Sequence, residues 1–154
     1  MQRPTGHNNE RGAAAVEFAL ILPLLLLLVF GGVEFGLVLF NKQVLTNASR
    51  EAARAGIVVV SEDPDTGVIS RVLDNEIITV AKNYCANYLV TFDPADPPPT
   101  VLVDHSAGQD FGQDLKVTIN YSYKFLLVPD LKSLFGDSSS SDLTIAATTT
   151  MRYE

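Results

Sequence analysis

Residues 13–40 form an almost unbroken apolar run, and no other part of the chain matches it. Positions 18–33 carry no charge and make about 24 Å of helix at 1.5 Å per residue. A bilayer's hydrocarbon core is roughly 30 Å thick, so a spanning helix needs more length. Extending the run to Ala13 and Phe40 supplies it and sets Glu17 and Glu34 near the two boundaries. Pro23 would break most helices in water. A membrane helix tolerates it where neighbours satisfy the freed carbonyl. Beyond Phe40 the spacing stays helical. Leu45, Ala48, Ala52 and Ala55 recur on one face, while Asn47, Arg50, Glu51 and Arg54 fall largely on others. Gly56 suits a helix end. One helix over 13–55 is about 65 Å long, half of it in lipid and half against an outer domain. Asn47-Ala48-Ser49 matches the glycosylation sequon, but inside a helix the match reads as coincidence.

After Gly56 the pattern is that of a soluble domain. Residues 61–67 (SEDPDTG) form a loop by composition. Residues 68–84 then place Ile69, Val72, Leu73, Ile77, Val80, Ala81 and Tyr84 on one face, which predicts an amphipathic helix capped by Asp65 or Thr66. Short strands are expected at 89–92 and 100–103, separated by a proline-rich stretch that blocks continued pairing. Residues 115–125 alternate apolar and polar without a break, and 143–153 repeat the alternation with Thr and Arg on the polar side. This is the pattern of half-buried strands in an antiparallel sheet. In the 126–142 connection a short helix is expected through Phe135. Leu131, Leu134 and Phe135 either pack inward or form a partner patch, and Ser138–Ser141 make a flexible connector. The fold class is α+β: a long, partly transmembrane N-terminal helix, a second amphipathic helix and a small antiparallel sheet.

The formal charge of −7 and the lack of a basic stripe exclude a chain built to grip nucleic acid. Removing residues 1–12 would take away Arg3, Arg11 and Glu10 and make the remainder one unit more negative. Cys85 is the single cysteine, so it reads as a small buried apolar residue, with intermolecular pairing the alternative. A conventional signal peptide would have a small-x-small cleavage site beyond its core, and here Glu34, Phe35 and Gly36 follow instead. Arg3 and Arg11 are not adjacent, so twin-arginine export is unsupported. The two arginines favour a cytoplasmic N-terminus. Lys42, Arg50 and Arg54 after the span argue weakly against it. A short leader before a large C-terminal part favours N-in, C-out.

A carboxylate inside a membrane helix is costly and marks function. Here a polar leader ends in Arg11-Gly12, small residues follow, then Glu17-Phe18, then the apolar run. A type IV prepilin begins this way. Residues 11–56 include RGAAAVEFAL, a Pro within the Leu run, a second Glu-Phe pair at Glu34-Phe35, and NASREAARAG. Together these resemble the TadE-like family, the minor pilins or pseudopilins of tight-adherence (Tad/Flp) pilus systems. The resemblance covers nearly a third of the chain. It implies a pilin-like outline and cleavage between Gly12 and Ala13 by an inner-membrane aspartyl prepilin peptidase. The expected organisation is therefore a leader over 1–12, the helix over 13–56 and an extracytoplasmic domain over 57–154. Implied partners are the prepilin peptidase, other Tad pilins and pseudopilins, the inner-membrane assembly platform and membrane lipid. No cofactor is implied.

The chemistry of the residues fits this transfer. Gly12 suits an extended backbone in a peptidase cleft. Cleavage gives Ala13 a charged amine, and Glu17 is one helical turn away. In an assembly this carboxylate pairs with a neighbour's first-residue amine. Stripping one partner from such a buried pair costs roughly 3–5 kcal/mol, so Glu17 acts as a register device; the alternative is snorkelling to headgroups. Gly32 and Gly36 make a GxxxG step, which permits close helix approach or simple flexibility at the membrane exit. Glu34, about 26 Å along the helix from Glu17, is expected to be solvated at the outer boundary, with a partner helix as the other reading.

No catalytic set is legible. His7 lies in the leader and His105 stands alone in sequence, so no Ser/His/Asp or Cys/His group forms. Asp104, Asp110 and Asp114 match no calcium-loop spacing and read as a solvated acidic loop. Besides the minor pilin, two readings stay open: an uncleaved single-pass scaffold of an envelope secretion complex, and a tethered enzyme or metal-dependent adhesin using the 104–114 loop.

Overall fold

In the computed structural model, the described residues are 7–65, 69–91, 97–125 and 143–153. Helix α1 (His7–Gly56) runs unbroken through Pro23. It is followed by β1 (Val59–Glu62), β2 (Ile69–Arg71), α2 (Asp74–Tyr88), β3 (Thr100–Asp104), β4 (Asp114–Tyr123) and β5 (Leu143–Arg152). Strands β1 and β2 make a small antiparallel pair, and the second sheet is antiparallel in the order β3-β4-β5. The α+β class expected from the pattern is the class observed.

The alternation in β4 sorts its side chains as expected. Leu115, Val117, Ile119, Tyr121 and Tyr123 are buried. Ile145, Ala147 and Tyr153 of the last strand segment join them, with Val101 from β3. Onto this face pack the outer half of α1, through Leu45, Ala48, Ala52 and Ala53, and α2, through Ile77, Ala81 and Cys85. Ala53 takes the central place that periodicity gave to Ala55, which is half-buried.

Gly56 does end α1, and packing leaves no room for a side chain there. A Cβ there would lie 2.5 Å from Leu115 Cδ2 and 2.7 Å from Ile77 Cδ1. Helix α2 then runs back beside α1, with Ile77 opposite Gly56, and Val90 just past its end is opposite Asn41.

Four expectations need correction. The second helix begins at Asp74, not near residue 68. Ile69–Arg71 instead pairs with the Val-rich β1, and Arg71 is held there by its Nη1 donating to the Ile57 carbonyl and its Nε to that of Gln109, each at 2.9 Å. Ser61 and Glu62 belong to β1 rather than to a loop. Leu73 is extended and exposed, and no side chain caps α2. Asp74 and Glu76 in its first turn complement the helix dipole instead. Of the strand expected at 89–92, residues 89–91 form none, because the Asn41 side chain takes both backbone groups of Val90. Thr66, Phe92, the short helix and its Leu131, Leu134 and Phe135, and Ser138–Ser141 lie outside the described residues.

Candidate functional site

The sequence-selected positions fall on two faces of α1. Helix α1 begins at His7, so the Gly12–Ala13 peptide lies inside helical turns. A protease cleft binds extended backbone, so a cut at this bond requires the first turns to unwind. Glu17, one turn beyond Ala13, is exposed, and Phe18 beside it is 63% exposed.

Gly32 and Gly36 stand two positions before and after Glu34. Each is therefore about 200° around the helix from it. A methyl group built on either would meet nothing within 4 Å. The small-residue step thus faces away from the C-terminal domain.

Glu34 faces the domain and is 2% exposed, so it is not solvated as expected. The Tyr123 hydroxyl, at the end of β4, donates to its Oε1 at 2.6 Å. Burial first, then this hydrogen bond and the Glu34 charge, push the Tyr123 hydroxyl well above the ordinary phenol range. Two more buried polar residues follow on the same stripe of α1. Asn41 donates through Nδ2 to the Val90 carbonyl and accepts the Val90 N–H on Oδ1, both at 3.0 Å. Ser49 shares a hydrogen bond with Thr149 of β5 at 2.7 Å and donates to the Thr46 carbonyl. Lys42 reaches the Ala146 carbonyl of β5. Sequence reading placed the apolar members of this stripe and missed the polar ones. Their signal was the spacing of Glu34, Asn41 and Ser49, seven and eight residues apart, in phase with Leu45 and Ala52.

His105 is not alone in space. Its Nε2 lies 2.7 Å from Asp74 Oδ1 and its Nδ1 lies 2.7 Å from the Tyr153 hydroxyl. The Arg71 guanidinium sits 4.1 Å above the Tyr153 ring. Tyr153 is 1% exposed, so no substrate reaches its oxygen. The group works as a clasp that joins β2, the start of α2, the β3–β4 loop and the end of the chain. The acidic residues of that loop do not converge. Asp104 accepts from the Ser106 backbone N–H at 2.8 Å, which with the Ser106 side chain holds its carboxyl below the usual range. Asp114 pairs with Arg152 at 3.5 Å. Among the described residues no three His, Cys, Asp or Glu side chains are placed to hold a metal ion.

These features fit a single-pass membrane protein. Among the described residues one helix is long and apolar enough to cross a bilayer, and no part of its most apolar window is buried in the protein. Its other end is built into an α+β domain. Residues 12–54 match the family model described as TadE-like protein, which upholds the resemblance seen in the sequence over that stretch. The match covers less than a third of the chain and relates it to Tad pilus components. No curated protein and no solved structure matches the chain.

Proposed function

We propose that this protein is a minor pilin or pseudopilin that takes part in assembling a Tad/Flp-type pilus for surface adhesion. The observation that carries this reading is the family match over residues 12–54 on a helix whose most apolar window is not buried in the protein. Residues 12–33 make about 33 Å of helix, enough for the hydrocarbon core. In this reading the leader is removed between Gly12 and Ala13 by a prepilin peptidase. Glu17 then sets register by pairing with the Ala13 amine of a neighbouring subunit, with Phe18 packed beside it. Gly32 and Gly36, on the face away from the domain, admit a partner helix. The protein sits in the inner membrane with its N-terminus cytoplasmic and residues 57–154 extracytoplasmic, among other Tad pilins and the assembly platform.

The test is the N-terminal residue and intact mass of the protein purified from its own membranes. A chain starting at Ala13 supports processing and filament assembly. A chain that keeps Met1–Gly12 refutes the processed pilin and favours an uncleaved scaffold. Gly12→Leu should abolish the mass change in the first case only.

A further inference from the structure

The apolar exterior of α1 does not stop where the outer domain begins. The domain engages the helix from Glu34 onward, yet Phe35, Leu39 and Phe40 on the open side remain 63%, 53% and 49% exposed. Residues 12–40 make about 44 Å of helix. That exceeds the roughly 30 Å hydrocarbon core and equals the 40–45 Å bilayer with its headgroup layers. With the core filled by residues 12–33, the stretch from Glu34 to Asn41, about 10 Å, lies in the outer headgroup layer. The part of the domain level with that stretch must lie there too.

The residues at that level suit such a place. Tyr123 is level with Glu34 through its hydrogen bond, and Leu143 is its Cα partner across the sheet. Leu143 is 39% exposed. Phe125 is half-buried, edge-on to the Tyr123 ring at 5.7 Å. Val90 is tied to Asn41 at the upper limit of the layer, and nearby Tyr88, tilted against the Tyr84 ring at 4.8 Å, is 55% exposed. Among the described residues Lys42 and Lys124 supply basic side chains here, while Glu34 is hidden. Aromatic rings with polar tips and long basic side chains are the groups that favour the membrane interface.

We infer that the membrane-proximal end of the outer domain, at Leu143, Phe125 and Tyr88, is seated in the phospholipid headgroup layer. The domain does not stand clear of the bilayer on a helical stalk. This rests on α1 spanning the membrane, and the experiment separates the two claims.

The chain has no tryptophan, so single substitutions give clean fluorescent probes. Four full-length variants, Phe30→Trp, Leu143→Trp, Tyr88→Trp and Phe111→Trp, are reconstituted at high lipid-to-protein ratio. The vesicles contain mixed phosphatidylcholine and phosphatidylglycerol with bromines on acyl carbons either near the glycerol or near the chain ends. Phe30→Trp reports the span itself and should be quenched most by the deep bromines. Leu143→Trp should lose most of its emission to the shallow bromines, and Tyr88→Trp less. Phe111→Trp, on the β3–β4 loop at the opposite pole, should lose none. If Leu143→Trp and Tyr88→Trp match Phe111→Trp while Phe30→Trp is quenched, the span stands and the seating is wrong. Shielding of this end by the protein's own chain or by a protein partner would give that result. An unquenched Phe30→Trp refutes the span, and the seating with it.

Discussion

The Tyr123 hydroxyl and the Glu34 carboxylate lie 2.6 Å apart although 89 positions separate them in the chain. The bond joins the end of a strand to the helix at the level where the C-terminal domain first touches it. Tyr123→Phe takes one donor from a buried carboxylate, which costs about 1–3 kcal/mol. Glu34→Gln keeps an acceptor and should cost less. Denaturant unfolding of the outer domain in detergent micelles checks the order. The Tyr123 hydroxyl stays protonated in the fold well above 10.0, where it ionises in the unfolded chain. Its contribution is therefore complete below pH 10 and declines as pH rises beyond it. In Tyr123→Phe that part of the alkaline loss should vanish.

Gly56→Ala should destabilise by about 1–3 kcal/mol through overpacking. The added methyl meets Leu115 and Ile77 at distances that neither can accept without moving. Gly36→Ala, with open space at the same position of its side chain, should leave domain stability unchanged. A thermal melt of the two variants side by side distinguishes a packing role at Gly56 from mere helix termination.

The clasp around His105 predicts coupling between distant segments. Tyr153→Phe keeps the ring under Arg71 and loses only the bond to His105, at a cost of about 0.5–1.5 kcal/mol. Combined with His105→Ala, the loss should fall short of the sum of the two single losses. A double-mutant cycle measured by urea unfolding gives the coupling, and strict additivity would remove the clasp from the account.

Cys85 is 1% exposed, and burial pushes its thiol up to about 11. At pH 8 it is held as the neutral thiol, the unreactive form. A thiol-specific chromogenic reagent should therefore fail to label the native protein and label it fully in denaturant. Prompt labelling of the native protein would contradict the burial.

The apolar periodicity was strong enough to reveal α1, β4 and β5 in the sequence, because each presents one continuous face to lipid or core. The α2 boundary was misread because apolar residues at 69–73 keep helical spacing while Arg71 and the valines of β1 draw them into a strand pair. Glu34, Asn41, Ser49 and His105 were opaque for another reason. A polar side chain reveals its burial only through its partner, and Tyr123, Val90, Thr149 and Tyr153 lie 48 to 100 positions away. The apolar approach to Glu17 and the small step at Gly32 and Gly36 needed no partner to be noticed.

The polar ties of α1 at Glu34, Asn41 and Ser49 also have a mechanical meaning. They reach a strand end, the segment after α2 and the last strand, at three levels along one axis. A pull on the helix toward the membrane would load all three in shear at once rather than peel them apart in turn. The helix is then less a tether than a shaft keyed into the domain, and a chain drawn by its N-terminal apolar segment would carry its C-terminal domain with it intact.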